Sequence, residues 1–185
     1  MSIKKYGLAS FLVLLATSAS SFAATNSSYG LNVDGLLGID LITGGGSSST
    51  TNVGYGARVG YSVDPSIEVG VSLTTSSNST TVNGFSNSAS LGLLLADLNY
   101  HLPEQWNPLY FGIRLGLGLS SGSTTIPGAP DPGSSTNLAY GFVGGYDHSL
   151  GNNITIGPRV AYTITQYTPG NIGDFQAQAA LKYFF

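Results

Sequence analysis

Three observations on these 185 residues predict an all-β fold class, an eight-stranded antiparallel up-and-down transmembrane β-barrel preceded by an N-terminal signal peptide. Apolar and small polar residues alternate with period two in eight separate segments. The links between those segments alternate between short turns and long stretches rich in Ser, Thr and Gly. Charge is scarce: 8% of residues are charged, beside 42% hydrophobic residues and 26 glycines. A soluble domain usually carries about a quarter charged residues. A disordered tail would need high net charge and few aromatics, yet Tyr 11 and Phe 8 are present and the net charge is only −3. No basic footprint for nucleic acid exists. The absence of cysteine excludes a disulfide scaffold, a thiol nucleophile and a thiolate metal site.

Residues 1–23 read as a cleaved secretory signal and 24–185 as one barrel domain. Lys4 and Lys5 form a positive start, Leu8 to Ala16 an apolar run, and Ser21-Phe22-Ala23 a small-residue cleavage site. The apolar run falls short of the ~20 residues a spanning helix needs. After cleavage Arg58, Arg114, Arg159 and Lys182 face nine acids, a net of −5.

The strands follow in order. Tyr29, Leu31, Val33, Leu37 and Ile39 share one face against Asn32, Asp34 and Gly38. Val53 to Val63 alternates against Gly54, Gly56, Arg58, Gly60 and Ser62. Ile67, Val69, Val71 and Leu73 oppose Glu68, Gly70, Ser72 and Thr74. Ser88–Leu102 sets Leu98, Tyr100 and Leu102 against Asp97, Asn99 and His101, and its Leu93-Leu94-Leu95 run suggests a bulge. Leu109 to Leu119 alternates against Tyr110, Gly112, Arg114, Gly116 and Gly118. Tyr140, Phe142 and Tyr146 oppose Gly141, Gly145 and Asp147. Ile154 to Ile164 alternates against Thr155, Gly157, Arg159 and Thr163. Phe175, Ala177, Ala179, Leu181, Tyr183 and Phe185 oppose Gln176, Gln178, Ala180 and Lys182.

Short turns at Asp64-Pro65-Ser66, His101–Pro108 and Ser149–Asn153 alternate with long loops at Ile42–Asn52, Thr75–Asn87 and Ser121–Asn137, the pattern of a membrane barrel. The link Gln166–Asn171 is short but falls on the long-loop side. A soluble barrel or sandwich would need Lys and Glu on its outer face. Here the polar face is Gly, Ser and Thr, which suits a narrow bore. The apolar face therefore meets lipid. Tyr29, Tyr55, Tyr100, Trp106, Tyr110 and Tyr183 lie near strand ends, as interfacial aromatics do.

The C-terminal strand Phe175–Phe185 carries Leu181, Tyr183 and terminal Phe185 in alternation. It resembles the recognition signal of bacterial outer-membrane barrels. Gly-rich strands such as Leu109-Tyr110-Phe111-Gly112-Ile113-Arg114-Leu115-Gly116 resemble those of small OmpA-like, OmpX-like and OmpW-like barrels. The resemblance implies integral residence in the outer membrane of a Gram-negative envelope. It also implies export through the periplasm and insertion by the barrel assembly machinery. Outer-membrane lipids and lipopolysaccharide are the expected neighbours; nucleic acid is not a partner.

The alternation puts Asp34, Arg58, Glu68, Asp97, Arg114, Asp147, Arg159 and Lys182 inside the barrel, four acids and four bases. Charge inside a narrow barrel is costly unless paired, so an ion-paired polar plug is expected. Asp40, Asp64, Glu104, Asp131 and Asp174 fall at rims and loops. A hydrolytic centre would need a nucleophile, a base and an orienting group. His101 sits at the short-turn end with Asp97 on its face, while His148 and Ser149 point to opposite faces, so no catalytic residues are assigned. Two separated histidines fit no metal spacing, and no cofactor is expected. The leading reading is a non-enzymatic barrel with a structural or surface-interaction role exercised through its long loops. The alternative is an OmpW-like channel for apolar solutes, lined by Leu36, Leu91, Leu93, Leu95 and Val143 if they face inward. A lipid-modifying enzyme is the third reading.

Overall fold

The computed structural model describes residues 30–44, 49–82, 85–102, 108–125, 133–167 and 170–185. The proposed signal, Tyr29, Glu104, Trp106 and Asp131 lie outside the described residues. Strands run as β1 (Leu31–Thr43), β2 (Ser49–Ser62), β3 (Ile67–Val82), β4 (Phe85–His101), β5 (Leu109–Thr124), β6 (Gly133–Tyr146), β7 (His148–Gly151), β8 (Ile154–Thr165) and β9 (Ile172–Phe184). Neighbours in sequence pair antiparallel, except that β6 and β7 both pair with β8, and β9 returns to β1, with Asp34 opposite Lys182 and Asp40 opposite Gln176. The ring therefore closes and leaves no sheet edge in the bilayer, as a lipid-embedded sheet requires.

The nine segments make eight staves, because β6 and β7 are two halves of one. Gly145 pairs with Arg159 and His148 with Ile156, the same register on either side of Asp147. Between them, Pro158 has no N–H to give the ladder, so the pairing lapses and resumes. The β7–β8 hairpin turns through Gly151, Asn152 and Asn153 at φ 84°, 50° and 63°. Gly and Asn are the residues that tolerate this left-handed region.

Period two holds along every stave. Leu37, Val53 and Phe142 are 62%, 63% and 68% exposed, while Asn32, Asp34, Arg58 and Glu68 are buried in the bore. A large apolar surface facing outward with a charged interior inverts a soluble core and matches a lipid-facing belt.

Three expectations are corrected here. The Leu93-Leu94-Leu95 run contains no bulge: β4 keeps unbroken register with β3 and β5, with Leu91, Leu93 and Leu95 pointing in and Leu94 pointing out. The long loops are mostly strand, since β3 continues to Val82, β4 begins at Phe85 and β5 reaches Thr124. Above the membrane both faces of a sheet meet water. The backbone ladder continues there without the hydrophobic alternation that reveals a strand in sequence. Tyr110 is not an interfacial aromatic. It is 7% exposed inside the bore, and Gly145 leaves the room its ring occupies.

Candidate functional site

Inward side chains populate the bore from the short-turn end upward. Each inward side chain is set there by strand alternation, and small residues opposite the large ones make the space. Gly60 and Gly70 stand where any Cβ would meet the Arg58 guanidinium. That guanidinium binds Glu68 through Nη1, Asp34 Oδ2 at 3.3 Å and Asp97 Oδ2 at 3.3 Å through Nε. Asp97 is the hub: its Oδ1 also accepts from Arg114 Nε at 3.0 Å, and Arg159 Nη2 lies 4.0 Å from Oδ2. Glu68 is a second hub, held by Arg58 and by Lys182 Nζ at 3.3 Å. Lys182 reaches Asp147 Oδ2 at 2.6 Å, and its ammonium lies 5.5 Å from the centroid of the Tyr110 ring. Amides complete the shell: Asn32 Nδ2 donates to Glu68 Oε2 at 3.0 Å and Arg159 Nη1 donates to Gln178 Oε1 at 2.8 Å. All eight charges placed inside by sequence thus lie in one connected array across the bore.

Apolar side chains pack beside this array. Leu91, Leu93, Leu95 and Ala139 form one buried cluster toward the long-loop end. Tyr110, Val143 and Ala161 form another. Leu36 and Val143 do face inward, at 3% and 4% exposure, and Val143 packs in the second cluster. Two residues beyond Leu95, Asp97 is held by Arg58 and Arg114.

Two acids missed as interior residues stand above the array. Asp40 and Asp174 are each 1% exposed, not rim residues. Asp40 has the same parity as Asp34 on β1, and Asp174 the same as Lys182 on β9, so alternation carried the signal.

The histidines lie apart. His101 Nε2 is 3.9 Å from Glu68 Oε2, and its ring lies against Tyr110 with centroids 5.3 Å apart. His148 is exposed and stacks on Tyr146 at 6.4 Å. Among the described residues no three His, Asp or Glu side chains gather as a metal-binding group.

On the long-loop side the ring is uneven. β2 pairs with β3 only as far as Gly54 opposite Ser76, and β8 meets β6 only from Ala139 down. Above those points β3, β4, β5 and β6 continue as a four-stranded sheet. Cross-strand hydroxyl pairs tie it together: Ser88 to Ser123 at 2.7 Å, Ser90 to Ser121 at 2.7 Å and Ser120 to Ser135 at 2.9 Å. On the outer face of β5 the change is abrupt, Leu119 being followed by Ser121 and Ser123. Leu119 is the last outward leucine of β5 before these hydroxyls.

Known proteins share this architecture. Ail, the attachment invasion locus protein of Yersinia pestis, aligns with TM-score 0.66 at 14% identity, over 84% of this chain and 99% of Ail. Ail in complex with the heparin analogue sucrose octasulfate aligns with TM-score 0.65 at 14% identity, over the same shares. Neisserial surface protein A aligns with TM-score 0.61 at 17% identity, over 86% of this chain and 98% of that one. Identity this low shows a common fold. No curated protein matches the sequence. The family model described as outer membrane protein beta-barrel domain matches residues 9–185. This chain therefore belongs to that family, as an eight-stranded barrel integral to the outer membrane.

Proposed function

We propose that the chain is a non-enzymatic outer-membrane barrel with a structural or surface-interaction role, its bore closed and its contacts made by the raised sheet of β3 to β6. The observation that carries this reading is the cross-section at Asp97, where three guanidiniums converge on one carboxylate inside the bore. The raised sheet supplies the contact surface, uncharged and rich in hydroxyls on both faces. Its neighbours on this reading are outer-membrane lipids and lipopolysaccharide, and β9, with Leu181 and Tyr183 outward, serves the assembly machinery. His101 and His148 act within the bore and at its rim, without a catalytic part. Planar-bilayer recording is the test: the folded monomer should show no large, stable conductance. A steady pore of nanosiemens size would overturn the plug. The apolar-solute channel draws on the inward Leu91, Leu93 and Leu95. It predicts that vesicles carrying the protein take up a small apolar solute faster than empty ones.

A second expected result follows from where the cations are. Beyond Lys4 and Lys5 the sequence holds only Arg58, Arg114, Arg159 and Lys182, and all four are buried in the bore at 2% exposure. The mature surface has no lysine or arginine to meet a sulfate, and anion recognition rests on such groups. Sucrose octasulfate, which Ail holds in its complex, should show no calorimetric binding here even at low salt. Submillimolar binding would refute a contact surface of the kind described.

A further inference from the structure

We propose that the upper bore holds a hard divalent cation between Asp40 and Asp174. The described interior contains six carboxylates, Asp34, Asp40, Glu68, Asp97, Asp147 and Asp174, against four cations, so two negative charges are left over. The imbalance is local. Asp34, Glu68, Asp97 and Asp147 all have ion-pair partners, whereas neither Asp40 nor Asp174 pairs with any described cation. Arg114 stops short of both, spending its Nη1 on Gln176 Oε1 at 3.1 Å and Thr163 Oγ1 at 3.4 Å.

The two carboxylates are diagonal neighbours on one face, since Asp40 lies opposite Gln176 on β9 and Asp174 lies two residues before it. Both oxygens of Asp40 and Oδ1 of Asp174 are buried without a hydrogen bond. Ser76 and Gln176 lie beside Asp40, but neither meets hydrogen-bonding geometry. The remaining oxygen, Asp174 Oδ2, accepts from Gln176 Nε2 at 3.0 Å. A buried carboxylate oxygen left unpartnered is costly, and three on two neighbouring side chains call for a cation. The backbone makes room for this arrangement: at Gly54 a Cβ would occupy the place of the Asp40 carboxylate.

A cavity lies beside the pair on the long-loop side. At the extracellular mouth a cavity of about 510 Å³ is bounded by Ile42, Asn52, Leu91 and Ile172. Asn52 is opposite Asp40, and Ile42 is opposite Asp174. The charge needed is two positive units, and every candidate donor is oxygen: two carboxylates, with the Asn52 amide and the Ser76 hydroxyl nearby. Oxygen donors in an irregular set suit Ca²⁺ better than Mg²⁺, which demands a near-ideal octahedron.

The test uses the full mature barrel refolded in an uncharged detergent, free of lipopolysaccharide and stripped with chelator. Equilibrium dialysis against ⁴⁵Ca²⁺ should give one ion per barrel. At Ca²⁺ a hundredfold above Kd, the folded-to-unfolded ratio should rise about a hundredfold. Asp40→Asn and Asp174→Asn should each weaken binding by at least about tenfold. Asp64→Asn, in an exposed turn at the opposite end, should leave binding unchanged. If the Asn variants do not fold, Mn²⁺ soaked into wild-type crystals gives the location by anomalous scattering. A peak between the two carboxylates supports the site and a peak elsewhere overturns it. No binding of Ca²⁺ or Mg²⁺ at millimolar concentration overturns it as well. So does greater stability of the Asn variants than of wild type in chelator with no cation effect on either, because protons would then carry the missing charge.

Discussion

Asp97→Asn is expected to cost the folded barrel about 3–5 kcal/mol, the range for removing one partner of a buried ion pair. The substitution keeps the shape and removes only the charge, so packing loss does not enter. What remains is Arg58, Arg114 and Arg159 converging on a neutral amide, with Asp97 at present 3.3, 3.0 and 4.0 Å from them. Arg58 retains Asp34 and Glu68. Among the described residues Arg114 has no other ion-paired carboxylate and falls back on Gln176, Thr163 and Ser72. The loss should therefore exceed that of Asp34→Asn, where Arg58 keeps two acids. Urea unfolding in phosphatidylcholine vesicles, followed by the shift between folded and unfolded forms on gels, measures both variants. High salt should change the difference little, because screening acts weakly on buried pairs. Equal costs for the two variants would remove Asp97 from its place as hub.

The sequence made the staves legible where one face meets lipid and the other the bore. There alternation is forced, and Leu109 to Leu119 or Val53 to Val63 could hardly be read otherwise. It failed above the lipid. Ser77 to Thr81 and Ser86 to Ser90 look like loop by composition, yet they pair residue for residue between β3 and β4. Their hydrogen bonds are made by backbone, which composition does not report. Asp40 and Asp174 are hard to place from sequence for a related reason. Each sits near an expected loop, and proximity to that loop outweighed parity. By sequence Tyr110 fits both the polar face and an interfacial position, and its burial follows the strand parity. Which charges touch was never legible. Asp97 on β4 meets Arg114 on the adjacent strand and also Arg58 two strands away, and that reach depends on strand tilt and bore width.

The position of the bilayer gives the other large effect. On β5, outward residues run Leu109, Phe111, Ile113, Leu115, Leu117 and Leu119 before Ser121 and Ser123. Leu109 to Leu119 has the length of a tilted strand crossing the hydrocarbon, about 9–11 residues. Leu115, 58% exposed and central in that run, should then sit near the midplane. Leu115→Arg is expected to destabilise by about 2–4 kcal/mol, and Ser121→Arg on the same face by about 0–1. Neither substitution touches the bore, because both side chains point outward and the ion-paired array lies behind the sheet. The difference therefore reads lipid alone. Arginine scanned at Phe111, Leu115, Leu119 and Ser121, with guanidinium unfolding in vesicles, should trace a peak at Leu115 that falls on both sides. Phe142, 68% exposed on the neighbouring β6, faces Ile113 across the ladder and should behave like a residue in the belt. A flat profile along β5 would mean that the outward apolar band does not face a bilayer. A maximum displaced to Ser121 would move the membrane upward onto the hydroxyl-rich sheet and remove that sheet as a contact surface.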